Sequence, residues 1–221
     1  MSAGIVGPHG EFLVVADSAL GLIGRVEVVQ GWGRPSALAD LSVGALAAHL
    51  GSQVLTVHAA LTAGECVTDQ TPVSLMEHYE RVPWMTGGPD HASNVTIREG
   101  AESSAGPGQA HLLGQLEEAV DDLRLAFGAR RPVGLPPAIR MPWWDWSLSF
   151  DDFLTTRVME IVVHSDDLAA SVDTPAPLLP EAVLGPVLAL LVGLSLRRHG
   201  QSDVVRALSR AERAPASISA F

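Results

Sequence analysis

The sequence predicts an all-α protein, an up-and-down bundle of long helices with a helical addition at its C-terminus. Apolar residues recur at helical spacing through several long segments, and no segment shows the alternation of strands and helices that builds a parallel sheet. Hydrophobic residues make up 47% of the 221 residues and charged residues 18%, which indicates a folded chain with a core of its own. The number of long helical segments favours a bundle.

Two helices are predicted in the first part of the chain. Residues 11–30 form an amphipathic pattern that ends at the glycines and proline of residues 31–36. Residues 41–61 hold a tighter apolar stripe. Ser42 or Asp40 is the predicted cap of this second helix, because short polar side chains accept hydrogen bonds from the free N–H groups of a first turn.

The middle of the chain is less regular. Residues 72–82 predict a short helix. Residues 87–108 are rich in Gly, Ser and Pro, and they predict a loop or a partly ordered lid. The helical pattern returns over residues 109–127, where apolar side chains line one face.

The longest predicted helix covers residues 149–172. Ser149 and Asp152 have the spacing of a capping box at its start, and a connection rich in tryptophan leads into it. Prolines follow the helix and divide the chain into a bundle, residues 1–175, and a helical C-terminal extension, residues 176–221. The extension is predicted to hold one very apolar helix and one shorter helix, which ends near residue 212.

A file of polar side chains runs along the longest helix beside its apolar stripe. It consists of Arg157, Glu160, His164 and Asp167, at spacings of three, four and three residues. Because Glu160 and His164 lie one turn apart, both can reach one divalent metal ion, and carboxylate and imidazole are typical zinc ligands. The alternative is a simple Glu–His pair on a solvated helix face. A third ligand from elsewhere in the chain is needed to decide between them.

His49 is the candidate for that third ligand. His49 lies beside the apolar stripe of the helix at residues 41–61. Glu160 and His164 lie on the same side of the apolar stripe of the helix at residues 149–172. Such positions beside the stripes are where helices meet in a bundle. Three protein ligands with an open fourth position is the arrangement of a catalytic zinc site, whereas structural zinc sites are closed.

Two segments of the chain resemble the metal-binding signatures of the mycothiol-dependent maleylpyruvate isomerase family. They read LSVGALAAHL at residues 41–50 and TRVMEIVVHSDDL at residues 156–168. The resemblance implies a DinB-like four-helix bundle in which His49, Glu160 and His164 bind zinc, or another divalent transition metal such as nickel. It also implies an isomerase or S-transferase, with mycothiol as the thiol cosubstrate and a metal-bound thiolate that attacks a small electrophilic substrate.

Arg157 and Asp167 are the further candidates for catalysis. Arg157 either binds a carboxylate of the thiol cofactor or substrate, or pairs with Glu160 one turn away. Asp167 either orients His164 through a hydrogen bond or is a surface charge. Two other functions stay open, a non-catalytic metal-binding or dimerising protein on the same bundle and a hydrolase that uses zinc-bound water.

Other residues with reactive side chains are expected to have structural roles. His58 lies on the far side of its helix from His49, His199 lies at a helix end, and Cys66 lacks a catalytic partner in a recognised motif. The alternative metal ligands are His78, His91 and His111, and the side chains that either wall a pocket or pack in the core are Trp143, Trp144 and Trp146.

Charge and composition indicate the partners and the compartment. The chain has 14 basic and 25 acidic residues, a net charge of -11, which predicts no binding to nucleic acid or to a membrane surface. The longest apolar run, residues 184–196, is shorter than the ~20 residues of a membrane-spanning helix, and it offers a surface for a homodimer. With one cysteine and no recognisable signal peptide, we expect a cytoplasmic protein.

Overall fold

The computed structural model of the protein describes residues 7–63, 66–86, 91–128 and 135–221. Its helices in chain order are α1 (Pro8–Ile23), α2 (Val26–Gly31), α3 (Val43–Thr62), α4 (Leu75–Arg81), α5 (Pro83–Thr86), α6 (Ala92–Ala105), α7 (Gln109–Phe127), α8 (Phe150–Ser171), α9 (Glu181–His199) and α10 (Gln201–Ser209). Two short strands, β1 (Ala138–Ile139) and β2 (Leu148–Ser149), pair antiparallel, and Ala211–Arg213 form one turn of 3-10 helix. The prediction of an all-α protein is therefore confirmed.

Four long helices, α1, α3, α7 and α8, form the bundle. Both α1 and α3 pack against α7 and α8. Their apolar stripes meet in one core, because a helix with one apolar face must bury that face against its neighbours. The largest side chains in this core include Phe12, Leu46, Leu50, Leu116, Leu123, Phe153 and Leu154. The contact between α3 and α8 positions the candidate site.

The helices predicted at residues 41–61, 109–127 and 149–172 are confirmed as α3, α7 and α8. Of the two caps considered for α3, Ser42 holds the position, since its Oγ accepts a hydrogen bond from the Ala45 N–H at 3.0 Å. Ser149 caps α8. Its Oγ accepts from the Asp152 N–H at 3.0 Å and donates to the Asp152 carboxylate at 2.8 Å. Both caps satisfy donors that a first turn leaves free.

The single helix predicted over residues 11–30 is wrong, because the chain forms two helices there, α1 and α2. Gly24 closes α1, and Arg25 adopts an extended backbone with a ψ of 145°. The Arg25 guanidinium donates to the Thr174 hydroxyl at 2.7 Å and to the Pro175 carbonyl at 2.9 Å. These hydrogen bonds form at the break between α1 and α2, and they join residues that are far apart in the chain. The local helical pattern of residues 11–30 therefore could not predict them.

The loop or lid predicted over residues 87–108 is also wrong for the residues described there. A helix, α6, forms and packs along α3, and its buried side chains are alanines. Glu102 of α6 accepts hydrogen bonds from the Ser42 N–H at 2.8 Å and the Ser42 hydroxyl at 3.0 Å. Tertiary contacts thus support a helix whose own apolar pattern is weak. Residues 87–90 of the segment lie outside the described residues.

The connection into α8 folds around two buried tryptophans. The rings of Trp144 and Trp146 stack with centroids 5.8 Å apart. Trp146 Nε1 donates to His78 Nδ1 of α4 at 3.0 Å, whereas Trp143 is 69% exposed. Core packing, one of the two roles predicted for the tryptophans, therefore holds for Trp144 and Trp146. The helix predicted at residues 72–82 is α4.

The C-terminal helices α9 and α10 pack as an addition to the bundle. α9 contacts α1 and α8. Its buried apolar side chains are Val183, Val187, Leu190 and Leu194. α10 ends at Ser209, before the predicted end near residue 212, and the tail turns back on α9, where the Ser195 hydroxyl donates to the Ile218 carbonyl at 2.7 Å. The division of the chain at residue 175 stays a prediction.

The opposite face of α9 is apolar and exposed. Leu188 is 50% exposed and Leu196 38%. Within the described part of the chain, α9 is the one helix long and apolar enough to cross a membrane, with 19 residues and 28% of its apolar window buried. The sequence-based prediction that no helix spans a membrane considered only the apolar run of residues 184–196, and α9 is longer than that run. Length and composition alone are weak evidence of a membrane span, because core helices share both.

Gly44 lets the first turn of α3 approach the Trp32 indole. A Cβ at position 44 would lie 2.6 Å from that ring, and the indole Nε1 donates to the Ala105 carbonyl at 3.2 Å. The residue at position 44 therefore decides how closely the chain before α3 and the end of α6 pack together.

We expect Gly44→Ala to lower the free energy of unfolding by roughly 1–3 kcal/mol, because the added methyl group forces the indole to shift. Gly114→Ala in α7 is the control, since a Cβ there meets nothing within 4 Å. That variant should be neutral or stabilising, as alanine favours a helix over glycine. Urea denaturation measures both variants, and equal stabilities would contradict the packing.

Candidate metal centre

His49 of α3 meets Glu160 and His164 of α8 where the two helices pack. Each side chain offers one ligand atom, and these atoms all lie within 4.8 Å of one another. The centroids of the two imidazole rings are 4.7 Å apart, and His164 Nε2 lies 3.1 Å from a Glu160 carboxylate oxygen. Among the residues that the structure describes, no other group of three such side chains is placed to hold a metal ion.

Helix periodicity produces this meeting. Glu160 and His164 are one turn apart on α8, so both project from one side of that helix, next to its apolar stripe. His49 lies on α3 between the buried Leu46 and Leu50. When the two apolar stripes pack against each other, the polar groups beside them come together at the edge of the shared core.

Asp167 contacts the second nitrogen of His164. Its carboxylate oxygen lies 3.1 Å from His164 Nδ1, so His164 stands between two carboxylates. When Nδ1–H donates to Asp167, the other nitrogen, Nε2, keeps its lone pair for a metal on the side of Glu160. Asp166, the neighbouring residue in sequence, does not belong to the polar file and is exposed.

The acid–base equilibria of the three groups are shifted. Burial and then the charge of His164 lower the pKa of His49 to about 4. Burial alone would raise the pKa of Glu160, but the hydrogen bond and charge of His164 lower it to about 2. Burial disfavours the charged form of His164, yet its hydrogen bonds to Asp167 and Glu160 raise its pKa to about 9. At neutral pH and without a metal, His49 is therefore neutral, Glu160 ionised and His164 protonated.

Arg157 supplies a positive charge beside these groups. Its Nη1 donates to Gln53 Oε1 at 2.7 Å, and its Nε donates to Thr156 Oγ1 at 3.1 Å. Within the described residues no ion pair joins Arg157 to Glu160, so the intrahelical salt bridge, one of its two predicted roles, is not formed. The guanidinium therefore has hydrogen-bond partners but no carboxylate partner there.

Gln53 is the residue of this region that the sequence analysis did not single out. It lies one turn after His49 on α3, and it is 4% exposed. Its Nε2 donates to the His49 carbonyl at 3.1 Å, while its Oε1 accepts from Arg157. The sequence feature that could have indicated Gln53 is its spacing of four residues from His49, which places both on one side of α3. Glutamine is usually a surface residue, so the spacing alone did not mark it.

Three of the other histidines lie outside the group. His58 Nε2 lies 2.9 Å from an Asp122 carboxylate oxygen, in keeping with the structural role predicted for it. His91 caps α6 through a hydrogen bond from the Ser93 N–H, and His111 is exposed on α7. His91 and His111 are therefore not brought to the candidate centre.

His78, His199 and Cys66 are also apart from it. His78 is 1% exposed, and burial is the main cause that lowers its pKa to about 4. Its Nδ1 is occupied by the hydrogen bond from Trp146. His199 Nε2 lies 2.9 Å from the Ser219 carbonyl, and Cys66 is buried. None of the three belongs to the group of converging ligand atoms.

The donor set fits a divalent transition metal. Zinc binds imidazole nitrogen and carboxylate oxygen at about 2.0–2.2 Å, so donor atoms around a tetrahedral ion are about 3.3 Å apart. The three atoms here lie within 4.8 Å, close enough for side-chain rotations to bring them to that spacing. Side-chain exposures of 15% for Glu160 and 14% for His164 leave access to the group. The same donors also suit nickel, manganese and iron.

A comparison with protein families identifies a match to this chain. The model of the mycothiol maleylpyruvate isomerase N-terminal domain matches residues 16–169, which is more than half of the chain. The matched region contains His49, Glu160, His164 and Asp167. No curated protein and no solved structure matches the chain.

The melting temperature of the metal-free protein should fall as pH rises from 6.5 to about 9. His164 has its pKa raised from 6.5 to about 9 in the folded protein. Its contribution to stability is therefore complete below pH 6.5 and is lost as pH rises through the folded value. Asp167→Asn removes one of the two carboxylate contacts of His164 and should therefore make the decrease in melting temperature smaller. His58→Asn, which lies outside the group, should leave that decrease unchanged. Thermal unfolding of chelator-treated protein measures this, and a flat wild-type profile would contradict it.

Proposed function

The chain belongs to the mycothiol maleylpyruvate isomerase N-terminal domain family, and we propose that it is a divalent-metal-dependent enzyme of thiol chemistry. The family is one of mycothiol-related, DinB-like helical proteins, which agrees with the bundle and with a His/Glu/His group. In the proposal, a low-molecular-weight thiol of the mycothiol type attacks a small electrophilic substrate. The observation that carries it is the convergence of ligand atoms from His49, Glu160 and His164 within 4.8 Å.

His49, Glu160 and His164 would hold the ion, which is zinc or another divalent transition metal such as nickel. When bound, the ion would lower the pKa of a coordinated thiol and so supply a thiolate at neutral pH. The chain contributes three ligands from two helices. A fourth position would then remain for the thiol, as in catalytic zinc sites.

The protonation states support this use of the three side chains. His49 is neutral at neutral pH because its pKa is lowered to about 4, so its lone pair is available without loss of a proton. Glu160 is ionised because its pKa is lowered to about 2. To bind the ion, His164 would lose its Nε2 proton and keep the Nδ1 proton, which lies 3.1 Å from the Asp167 carboxylate. Asp167 is therefore proposed to orient His164.

Arg157 is proposed to bind a carboxylate of the thiol cosubstrate or of the substrate. Its guanidinium is partly buried, and no acidic partner is bound to it within the described residues. The hydrogen bonds to Gln53 and Thr156 hold it in place beside the candidate ligands. A positioned guanidinium binds an anion through charge-assisted hydrogen bonds, which are stronger than neutral ones.

Two reaction types use these residues in the same way. In an isomerase, the thiol adds to a double bond of the substrate, rotation about the resulting single bond follows, and elimination returns the thiol. In an S-transferase, the thiolate sulfur bonds to the electrophilic carbon and remains attached to the product. Either a leaving group such as a halide departs with its bonding electrons, or a double bond of the substrate is opened and takes up a proton. Both need an activated, oriented nucleophile beside a group that binds the substrate. The arrangement of His49, Glu160, His164 and Arg157 serves either reaction.

Two alternatives make different demands on the same group of residues. A non-catalytic metal-binding protein needs the ion only for its fold, so a chelator should unfold the chain or dissociate its assembly. A hydrolase that uses metal-bound water needs no thiol, so it should cleave simple esters or amides in the absence of thiol. Both alternatives can be separated from the proposal by experiment.

The net charge of -11 argues against nucleic acid and anionic membranes as partners, and we propose a cytoplasmic location. The exposed apolar side chains of α9 and α10 support a homodimer. These side chains are Leu188, Leu196, Val205 and Leu208.

We expect Glu160→Ala to lose bound metal and to reduce thiol-dependent turnover by at least about a hundredfold, because the variant removes a ligand and not merely a group that orients one. Turnover is measured with mycothiol against a panel of cis-olefinic acids and activated halides. Glu118→Ala, an exposed acidic position on α7, is the matched control and should keep both metal and activity. Full metal occupancy in Glu160→Ala would contradict the assignment, and turnover that needs no thiol would favour the hydrolase.

The homodimer has its own test in the apolar face of α9. Leu188→Glu puts a charge on a side chain that is 50% exposed in the monomer, so it should disrupt a dimer formed through this face without unfolding the chain. Light scattering coupled to size exclusion measures the mass. Leu125→Glu, at another exposed leucine, 79% exposed on α7, is the control. A monomeric wild type, or a dimer unaffected by Leu188→Glu, would rule out assembly through this face.

A further inference from the structure

Gln53 connects the two helices that carry the proposed metal ligands. Arg157, one turn before Glu160 on α8, donates from Nη1 to Gln53 Oε1 at 2.7 Å. Gln53 in turn donates from Nε2 to the backbone carbonyl of His49 at 3.1 Å. The Gln53 side chain thus links the backbone of His49 on α3 to Arg157 on α8.

The connection is buried and uses both ends of the amide. Gln53 is 4% exposed, so the loss of the hydrogen bond from Arg157 would leave the amide oxygen with little access to water. The amide nitrogen also lies 3.4 Å from the Ser52 hydroxyl, which itself donates to the His49 carbonyl at 2.7 Å. Because the amide oxygen accepts from one partner and the amide nitrogen donates to another, the orientation of the group is fixed. The hydrogen bond from Arg157 has a charged donor, which makes it stronger than a neutral bond.

We propose that Gln53 is a positioning residue of the metal site, a role that rests on the proposed function. It holds α3 and α8 in one register and so sets the separation between His49 and the Glu160–His164 pair. It also holds the Arg157 guanidinium beside them. Because an amide is neutral, it does so without neutralising the positive charge of Arg157, as a carboxylate at this position would.

Gln53→Leu tests the role, since leucine fills a similar volume and makes neither hydrogen bond. We expect zinc affinity to fall roughly ten- to hundredfold, the range found for residues that orient metal ligands. Competition with a chromogenic chelator at fixed pH measures the affinity, and thermal unfolding of the metal-free protein measures the stability. Ser195→Ala is the matched control, because it removes another buried side-chain hydrogen bond, to the Ile218 carbonyl of the tail. It should lower the melting temperature and leave zinc affinity unchanged.

Arg157→Met and the double variant complete a thermodynamic cycle. If Gln53 acts through Arg157, Gln53→Leu should reduce zinc affinity less in the Arg157→Met background than in the wild type. Unchanged zinc affinity in Gln53→Leu, with only a lower melting temperature, would overturn the positioning role, and so would full additivity in the cycle. His49→Ala distinguishes a failure of the proposed role of Gln53 from a failure of the proposed function. If it loses zinc while Gln53→Leu does not, only the inference about Gln53 fails, whereas unchanged affinity in both would also overturn the proposed function.

Discussion

The contact between α3 and α8 is the constraint on which the candidate site depends. The apolar stripes of these helices bury against each other within the bundle, and the side chains at the edges of the stripes must then lie close together. His49 occupies one such edge and Glu160 and His164 another, so the packing that forms the core also brings three potential ligands within 4.8 Å. Of the other two helices of the bundle, α1 packs against both α3 and α8, and α7 packs against α3. Serine caps fix where α3 and α8 begin.

Charge at this contact is balanced by neighbouring groups. An ionised carboxylate is unfavourable in a partly buried place unless it is paired, and Glu160 is paired with the protonated His164 in the metal-free protein. The same pairing explains why the pKa of Glu160 falls while that of His164 rises, although burial alone would move each in the opposite direction. A divalent cation among these ligands would replace the proton between His164 and Glu160. The arrangement therefore suits both the metal-free and the metal-bound protein.

The sequence predicted those features that helix periodicity determines. The long helices α3, α7 and α8 follow from continuous apolar stripes, and α3 and α8 also have recognisable serine caps. The approach of His49 to Glu160 follows from their positions beside such stripes. The features that were missed depend on contacts between distant parts of the chain. Arg25 bonds to the segment after α8 at the break between α1 and α2, and Glu102 bonds to Ser42 and supports a helix with little apolar pattern. Gln53 could not be recognised because its burial, which gives its hydrogen bonds their importance, exists only in the packed bundle.

The most direct test of the central claim is the metal content of protein purified without added metal, measured by elemental mass spectrometry beside a His49→Ala/Glu160→Ala double variant. Circular dichroism would establish that both proteins are helical. We expect about one transition-metal ion per chain in the wild type and none in the variant, because the variant removes two of the three proposed ligands. A wild type that holds no metal even after incubation with zinc, or a variant that holds as much metal as the wild type, would contradict it.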